Sequence, residues 1–153
     1  MRVWMIAVAA LAFCSDANAE LYKVNARRLS SNFYELERGK AYALTRHCYE
    51  YTYGEEVFDD GDNEIIFDGG KCDVKRILVP KSQAAGAYKV RVAHEVDDLY
   101  EVDYQGVYLK TDYCYQYRYG EEAILDWNGA GGTLIFDRGR TKCQVSKILG
   151  ASR

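Results

Sequence analysis

Apolar and polar residues alternate along most of this chain in short runs, and each run ends at a turn signal rich in glycine, asparagine or aspartate. In the second half the runs are Leu99 to Tyr104, Val107 to Thr111, Tyr113 to Tyr119, Glu122 to Trp127, Thr133 to Asp137 and Lys142 to Leu149. They are separated by Gln105-Gly106, Gly120-Glu121, Asn128-Gly129-Ala130-Gly131-Gly132 and Arg138-Gly139-Arg140. The first half repeats this punctuation with Arg38-Gly39-Lys40, Asp60-Gly61-Asp62 and Gly69-Gly70. A period of two predicts strands, whereas the apolar stripes that mark helices are nearly absent, and Tyr, Val, Ile and Thr are plentiful. Each half therefore predicts a meander of about six short strands. Six strands in about 60 residues are best satisfied by closure, because an open sheet of that size leaves bare edges and one uncovered face. The expected fold class is all-β: two tandem small antiparallel β-barrel or meander domains, SH3-like as the first expectation. A pair of curved sheets packed face to face is the alternative.

The two halves share more than punctuation. Residues 21–56 align without a gap onto residues 87–122 at a constant offset of 66. The run Cys48-Tyr49-Glu50-Tyr51-Thr52-Tyr53-Gly54-Glu55-Glu56 returns as Cys114-Tyr115-Gln116-Tyr117-Arg118-Tyr119-Gly120-Glu121-Glu122, with seven of nine positions identical. After small insertions the register recovers at Ile66-Phe67-Asp68 against Ile135-Phe136-Asp137, at Cys72 against Cys143, and at Ile77-Leu78 against Ile148-Leu149. This is an internal duplication, with repeat 1 over residues 20–80 and repeat 2 over 87–153. Pro80, the only proline, closes the first repeat, and residues 81–86 (Lys-Ser-Gln-Ala-Ala-Gly) read as the linker.

Residues 1–19 have the pattern of a cleaved secretory signal: Arg2, an apolar run from Val3 to Phe13, and the small-x-small triplet Ala17-Asn18-Ala19. The apolar run is too short to span a bilayer, and no later segment approaches the roughly 20 apolar residues that spanning requires. Cleavage near Ala19 predicts a secreted or periplasmic protein with no transmembrane segment. Anchoring as a lipoprotein through Cys14 is disfavoured by the bulky Phe13 before it. Four cysteines remain in the exported chain, and four cysteines allow three connectivities. One pair recurs in each repeat, which favours Cys48–Cys72 and Cys114–Cys143 over cross-links between repeats. Zinc is the competing reading, but the paired short spacing of zinc sites is absent and the compartment is oxidising.

Charge adds little. The formal net charge is −3 with and without residues 1–19, and the longest basic runs are the pairs Arg27-Arg28 and Lys75-Arg76, so a nucleic-acid partner is not expected. The fourteen tyrosines are the compositional oddity. On a strand, Tyr49, Tyr51 and Tyr53 share one face and Cys48, Glu50 and Thr52 the other, and Tyr113, Tyr115, Tyr117 and Tyr119 are opposed in the same way to Cys114, Gln116 and Arg118. The tyrosine face is either a wall of the core or a binding platform.

Other candidates are weaker. Gly54-Glu55-Glu56 and Gly120-Glu121-Glu122 tempt one towards a carboxylate pair, but adjacent carboxylates on a strand point apart and a hairpin corner explains the motif. Asp59-Asp60-Gly61-Asp62-Asn63-Glu64 is rich in oxygen ligands yet fits no complete calcium-loop spacing, and repeat 2 has Trp127-Asn128-Gly129-Ala130-Gly131-Gly132 there. No metal or other cofactor is expected. His47 and His94 occupy non-equivalent positions, and no nucleophile, zincin or phosphate-loop motif occurs. The expectation is an exported, non-enzymatic binding protein built from two disulfide-stapled β modules. Its partner would be a protein, such as an extracellular hydrolase that it inhibits, in the envelope or outside the cell. The contact surface would comprise the tyrosine-rich runs plus the differing loops at residues 59–64 and 127–132, with Trp127 as anchor. A cell-wall or glycan-binding module is one alternative; an enzyme with Glu55, Glu121 and His47 between the repeats is another.

Overall fold

The computed structural model describes residues 20–152; the expected signal sequence and Cys14 lie outside them. The chain is all-β. Repeat 1 supplies β1 (Leu21–Ser30), β2 (Phe33–Leu36), β3 (Ala41–Thr45), β4 (Tyr53–Asp59), β5 (Glu64–Phe67) and β6 (Gly70–Pro80). Repeat 2 supplies β7 (Gly86–Val96), β8 (Leu99–Val102), β9 (Val107–Asp112), β10 (Tyr119–Trp127), β11 (Gly132–Phe136) and β12 (Thr141–Ala151). All pairings are antiparallel, and in repeat 1 they run β1–β2–β3–β6–β5–β4 and back to β1. Repeat 2 closes the same ring as β7–β8–β9–β12–β11–β10. Among the described residues closure pairs each of the twelve strands on both sides, which removes the exposed edges that an open sheet would leave.

The barrels can be this small because their long strands bend. Register shifts fall at Leu29 in β1 and at Glu95 in β7, positions related by the offset of 66, and again beside Lys75 in β6 and beside Ser146 in β12. Each is an extra residue that sharpens twist and turns the strand, and it recurs because both repeats must make the same corners. One core fills each barrel. In repeat 1 it includes Ala26, Tyr34, Leu36, Ile65, Phe67 and Val74. In repeat 2 it includes Val92, Tyr100, Leu109, Leu125, Trp127, Leu134, Phe136 and Val145. Each contains its own disulfide, Cys48–Cys72 with 5.5 Å between Cα atoms and Cys114–Cys143 with 5.4 Å.

The repeats are not beads on a string. β6 and β12 continue past their pairing with β5 and β11, and along the edge so freed they pair with each other, Leu78 opposite Ala151, Val79 opposite Gly150 and Pro80 opposite Leu149. Two further hydrogen bonds flank them: Lys81 N–H donates to the Ile148 carbonyl and Ser152 N–H to the Ile77 carbonyl, both at 2.8 Å. In the alignment Ile77 matches Ile148 and Leu78 matches Leu149, so exchanging the repeats maps this set of contacts onto itself. The repeats are thus related by a pseudo-two-fold axis between Val79 and Gly150, the arrangement of an isologous dimer within one chain. A third apolar cluster lies on that axis, formed by the equivalent pairs Phe33 and Leu99, Tyr42 and Tyr108, and Leu78 and Leu149, together with Leu44. Residues 81–85 connect the repeats, and Trp127 Nε1–H pins them by donating to the Gln83 carbonyl at 3.1 Å.

Candidate binding surface

In each repeat the segment between the third and fourth strands lies outside the sheet. The chain leaves β3 and β9 through His47 (φ +49°) and Tyr113 (φ +56°), left-handed residues at equivalent positions. It then runs as a strap, Cys48–Thr52 in repeat 1 and Cys114–Arg118 in repeat 2, before joining β4 or β10. The run Tyr113 to Tyr119, expected as a sheet strand, enters the ladder only at Tyr119. Its sheet place is taken by β7, so each barrel still has six strands.

The straps are held by the same bonds in both repeats. A side-chain oxygen in the turn of the first hairpin, Asn32 Oδ1 or Asp98 Oδ1, accepts the N–H of Cys48 (2.6 Å) or Cys114 (2.8 Å). The Arg28 N–H donates to the Thr52 carbonyl at 3.1 Å, and the His94 N–H to the Arg118 carbonyl at 2.7 Å. From inside the barrel the Tyr34 hydroxyl donates to the Glu50 carbonyl at 2.8 Å and the Tyr100 hydroxyl to the Gln116 carbonyl at 2.6 Å. Burial holds both phenols in the neutral, donating form: it pushes the Tyr34 hydroxyl up and the Tyr100 hydroxyl up to about 12. With a disulfide at one end, five residues of backbone outside the ladder are fixed along their length.

This anchoring decides which face points inward. Cys48, Thr52 and Cys114 are buried, while Tyr49, Tyr51, Tyr53, Tyr113, Tyr115, Tyr117 and Tyr119 are 66–86% exposed. The signal was the half-cystine. A strap face carrying Cys48 has to approach Cys72 on β6, so the tyrosines between its residues point the other way. The exposed rings are flanked by cations or histidine: the Arg28 guanidinium lies 5.9 Å from the Tyr51 ring centre, and its equivalent His94 stands 5.0 Å from Tyr117. Arg118, on the inward side, lies over Phe136 at 5.0 Å and bonds Glu121 (2.6 Å) and Asp137 (2.8 Å), and the bond to Asp137 raises its pKa further.

Other candidates fall elsewhere. Trp127, the expected anchor, is 5% exposed and belongs to the repeat 2 core; the alternation of β10 turns it inward, where its indole N–H is satisfied by Gln83. Glu55 pairs with Lys23 (2.8 Å), Glu122 with Lys89 (3.1 Å) and Glu121 with Arg118, while Glu56 accepts from the Thr52 hydroxyl, so the glutamates of the two Gly-Glu-Glu motifs are spent on separate local contacts. His47 is exposed. In the acidic loop Asp59 Oδ1 accepts the N–H groups of Gly61 (3.0 Å) and Asp62 (3.3 Å), which makes it a turn; among the described residues no three His, Cys, Asp or Glu side chains converge as metal ligands. A depression of about 330 Å³ adjoins Tyr53, lined by Asn25, Arg27, Glu35 and Arg38. Sequence reasoning missed Asn32 and Asp98, Tyr34 and Tyr100, and Arg28 and His94. The tyrosine pair was detectable, because it recurs at the offset of 66 with a glutamate after each member.

No protein-family model matches the chain, and neither a curated protein nor a solved structure is similar to it. Among the described residues no helix is long and apolar enough to cross a membrane.

Proposed function

We propose that this chain is an exported, non-enzymatic protein that binds a protein partner through the tyrosine faces of its two straps. The observation that carries this reading is the pairing of exposure with anchorage: seven tyrosines project into solvent from backbone held by two disulfides and two buried phenols. Tyrosine offers large contact area with few rotatable bonds, and a backbone fixed in advance loses little entropy on binding. Two disulfides fit an oxidising compartment and agree with the signal pattern of residues 1–19. Two linked straps can engage two epitopes with raised effective concentration.

The test is affinity capture from the producing cell's envelope and secreted fractions with oxidised residues 20–153. A double variant Tyr51→Ala/Tyr117→Ala serves as control, since both side chains are exposed and its melting temperature should match the parent. A protein recovered by the parent and bound at least about tenfold more weakly by the variant is the expected result. Equal recovery by both would remove the straps from the reading, and enrichment of polysaccharide without protein would reassign them to glycan.

A further inference from the structure

The straps differ from the rest of the molecule in their main-chain hydrogen bonding. In an extended segment the N–H and C=O of one residue point to one edge, and those of the next residue to the other. Cys48, Glu50 and Thr52 use their edge: Cys48 bonds Asn32 through both main-chain groups, and the carbonyls of Glu50 and Thr52 accept from Tyr34 and Arg28. In repeat 2 the Cys114 N–H donates to Asp98 while its carbonyl accepts from the Tyr100 hydroxyl at 3.2 Å, the carbonyls of Gln116 and Arg118 accept from Tyr100 and His94, and Gln116 N–H also donates to the Tyr100 hydroxyl at 3.2 Å. The opposite edge is open. None of the N–H and C=O groups of Tyr49, Tyr51, Tyr115 and Tyr117 has a partner among the described residues, and these residues are 66–86% exposed. A fold that pairs all twelve strands on both sides thus presents two unpaired strand-like edges, each bordered by its own row of tyrosines.

We propose that each strap is a template for an extended peptide segment of the partner, which adds as a neighbouring strand to the open edge. The inference rests on the reading of the straps as protein-binding and names the form the partner takes. Successive open donors and acceptors recur at about 6.8 Å, twice the rise of a strand residue. A polypeptide in extended form presents acceptors and donors at that same interval, and a glycan carries no such row. Main-chain bonds then supply affinity, and side chains at every second position of the guest, apolar or aromatic, lie beside the tyrosine rings and supply selectivity. Arg28 borders the Tyr51 ring and His94 the Tyr117 ring, so the two straps present different side chains beside equivalent tyrosines.

The experiment pans a phage-displayed library of linear peptides against oxidised residues 20–153, then synthesises the enriched peptide with each amide N-methylated in turn. The expected result is a period of two: methylation at alternate residues weakens binding about tenfold or more, and at the intervening residues it changes little. Tyr51→Pro and Tyr117→Pro, which delete an unpaired donor, should lose the peptide, whereas Tyr51→Phe and Tyr117→Phe should keep it. The N-methyl scan leaves the protein untouched, so it stands even if a proline variant folds poorly. Binding that depends on the strap tyrosines but shows no alternation would overturn strand addition and leave the tyrosine surface intact. Failure to enrich any peptide that Tyr51→Ala/Tyr117→Ala releases would overturn it as well, while a protein captured in the previous experiment would still support the straps as a binding surface.

Discussion

Tyr53-Gly54-Glu55-Glu56 and Tyr119-Gly120-Glu121-Glu122 are identical in sequence and differ in structure. In repeat 1 the ladder passes regularly through Gly54, which faces Ala26. In repeat 2 Gly120 is an extra residue at φ +76°, and the register slips by one between Tyr119 and Glu121. A slip of one residue exchanges the two faces of a strand. β4 consequently packs Phe58 against its core, whereas β10 buries Ala123, Leu125 and Trp127 and leaves Ile124, the counterpart of Phe58, 41% exposed. The cause lies downstream of the motif. Ala123, Leu125 and Trp127 form an apolar face of period two, and glycine lets the backbone bulge to bring that face inward. An identical motif therefore does not guarantee an identical fold around it; the residues that need burial set the phase.

A second contrast concerns Tyr42 and Tyr108, equivalent rings on the two-fold axis. The Tyr108 hydroxyl donates to Glu101 at 3.3 Å, but Glu35, the equivalent of Glu101, is held by Arg27 at 3.0 Å. Repeat 2 has Ala93 in place of Arg27 and so leaves Glu101 available. The buried Tyr42 hydroxyl is left without a hydrogen-bond partner among the described residues.

These comparisons can be pressed experimentally. The largest effect should also be the most even: Cys48→Ala/Cys72→Ala and Cys114→Ala/Cys143→Ala remove bridges spanning 24 and 29 residues. Each should lower unfolding free energy by about 3 kcal/mol in urea titration, because loop-closure entropy changes only slowly with loop length. A large inequality would mean that one barrel depends on its strap anchor far more than the other. Next in size is the glycine pair. Gly120→Ala places a Cβ 3.1 Å from the Tyr104 hydroxyl at a left-handed φ and should cost about 1–2 kcal/mol; a Cβ on Gly54 meets nothing within 4 Å, so Gly54→Ala should be neutral or slightly stabilising. Equal costs would refute the bulge.

The smallest contrast is between hydroxyls. Tyr108→Phe should cost about 1 kcal/mol at neutral pH, and Tyr42→Phe close to nothing. Burial pushes the Tyr108 hydroxyl up to about 12, against an ordinary value of 10.0. Above pH 10 the unfolded chain has lost that proton and the folded chain has not, so the group's contribution to stability declines as pH rises towards 12. Tyr108→Phe has no such group, and its deficit should shrink in that window. A deficit that stays constant from pH 9 to 11, read from initial unfolding transitions, would place the hydroxyl in water.

Much of this protein was legible before folding was considered. The duplication, the turn residues, the strand period and the recurrence of one cysteine pair per repeat are local or self-comparing features, and they determined an all-β chain of two small closed units with disulfides Cys48–Cys72 and Cys114–Cys143. Periodicity names two faces of an extended segment without saying which one meets the core, because burial depends on what the rest of the chain places opposite. In the straps the half-cystine on one face was a local signal that the tyrosines point the other way, whereas tertiary structure alone decided that Trp127 is core and that Gly120 bulges where Gly54 does not. It also decided the joining of the repeats about a two-fold axis. The residues that make that axis, Phe33 and Leu99, Tyr42 and Tyr108, and Leu78 and Leu149, read in sequence as ordinary strand residues. Their second role exists only because β6 and β12 outrun β5 and β11 and meet along the edges so freed, which is a matter of long-range geometry that no local pattern encodes.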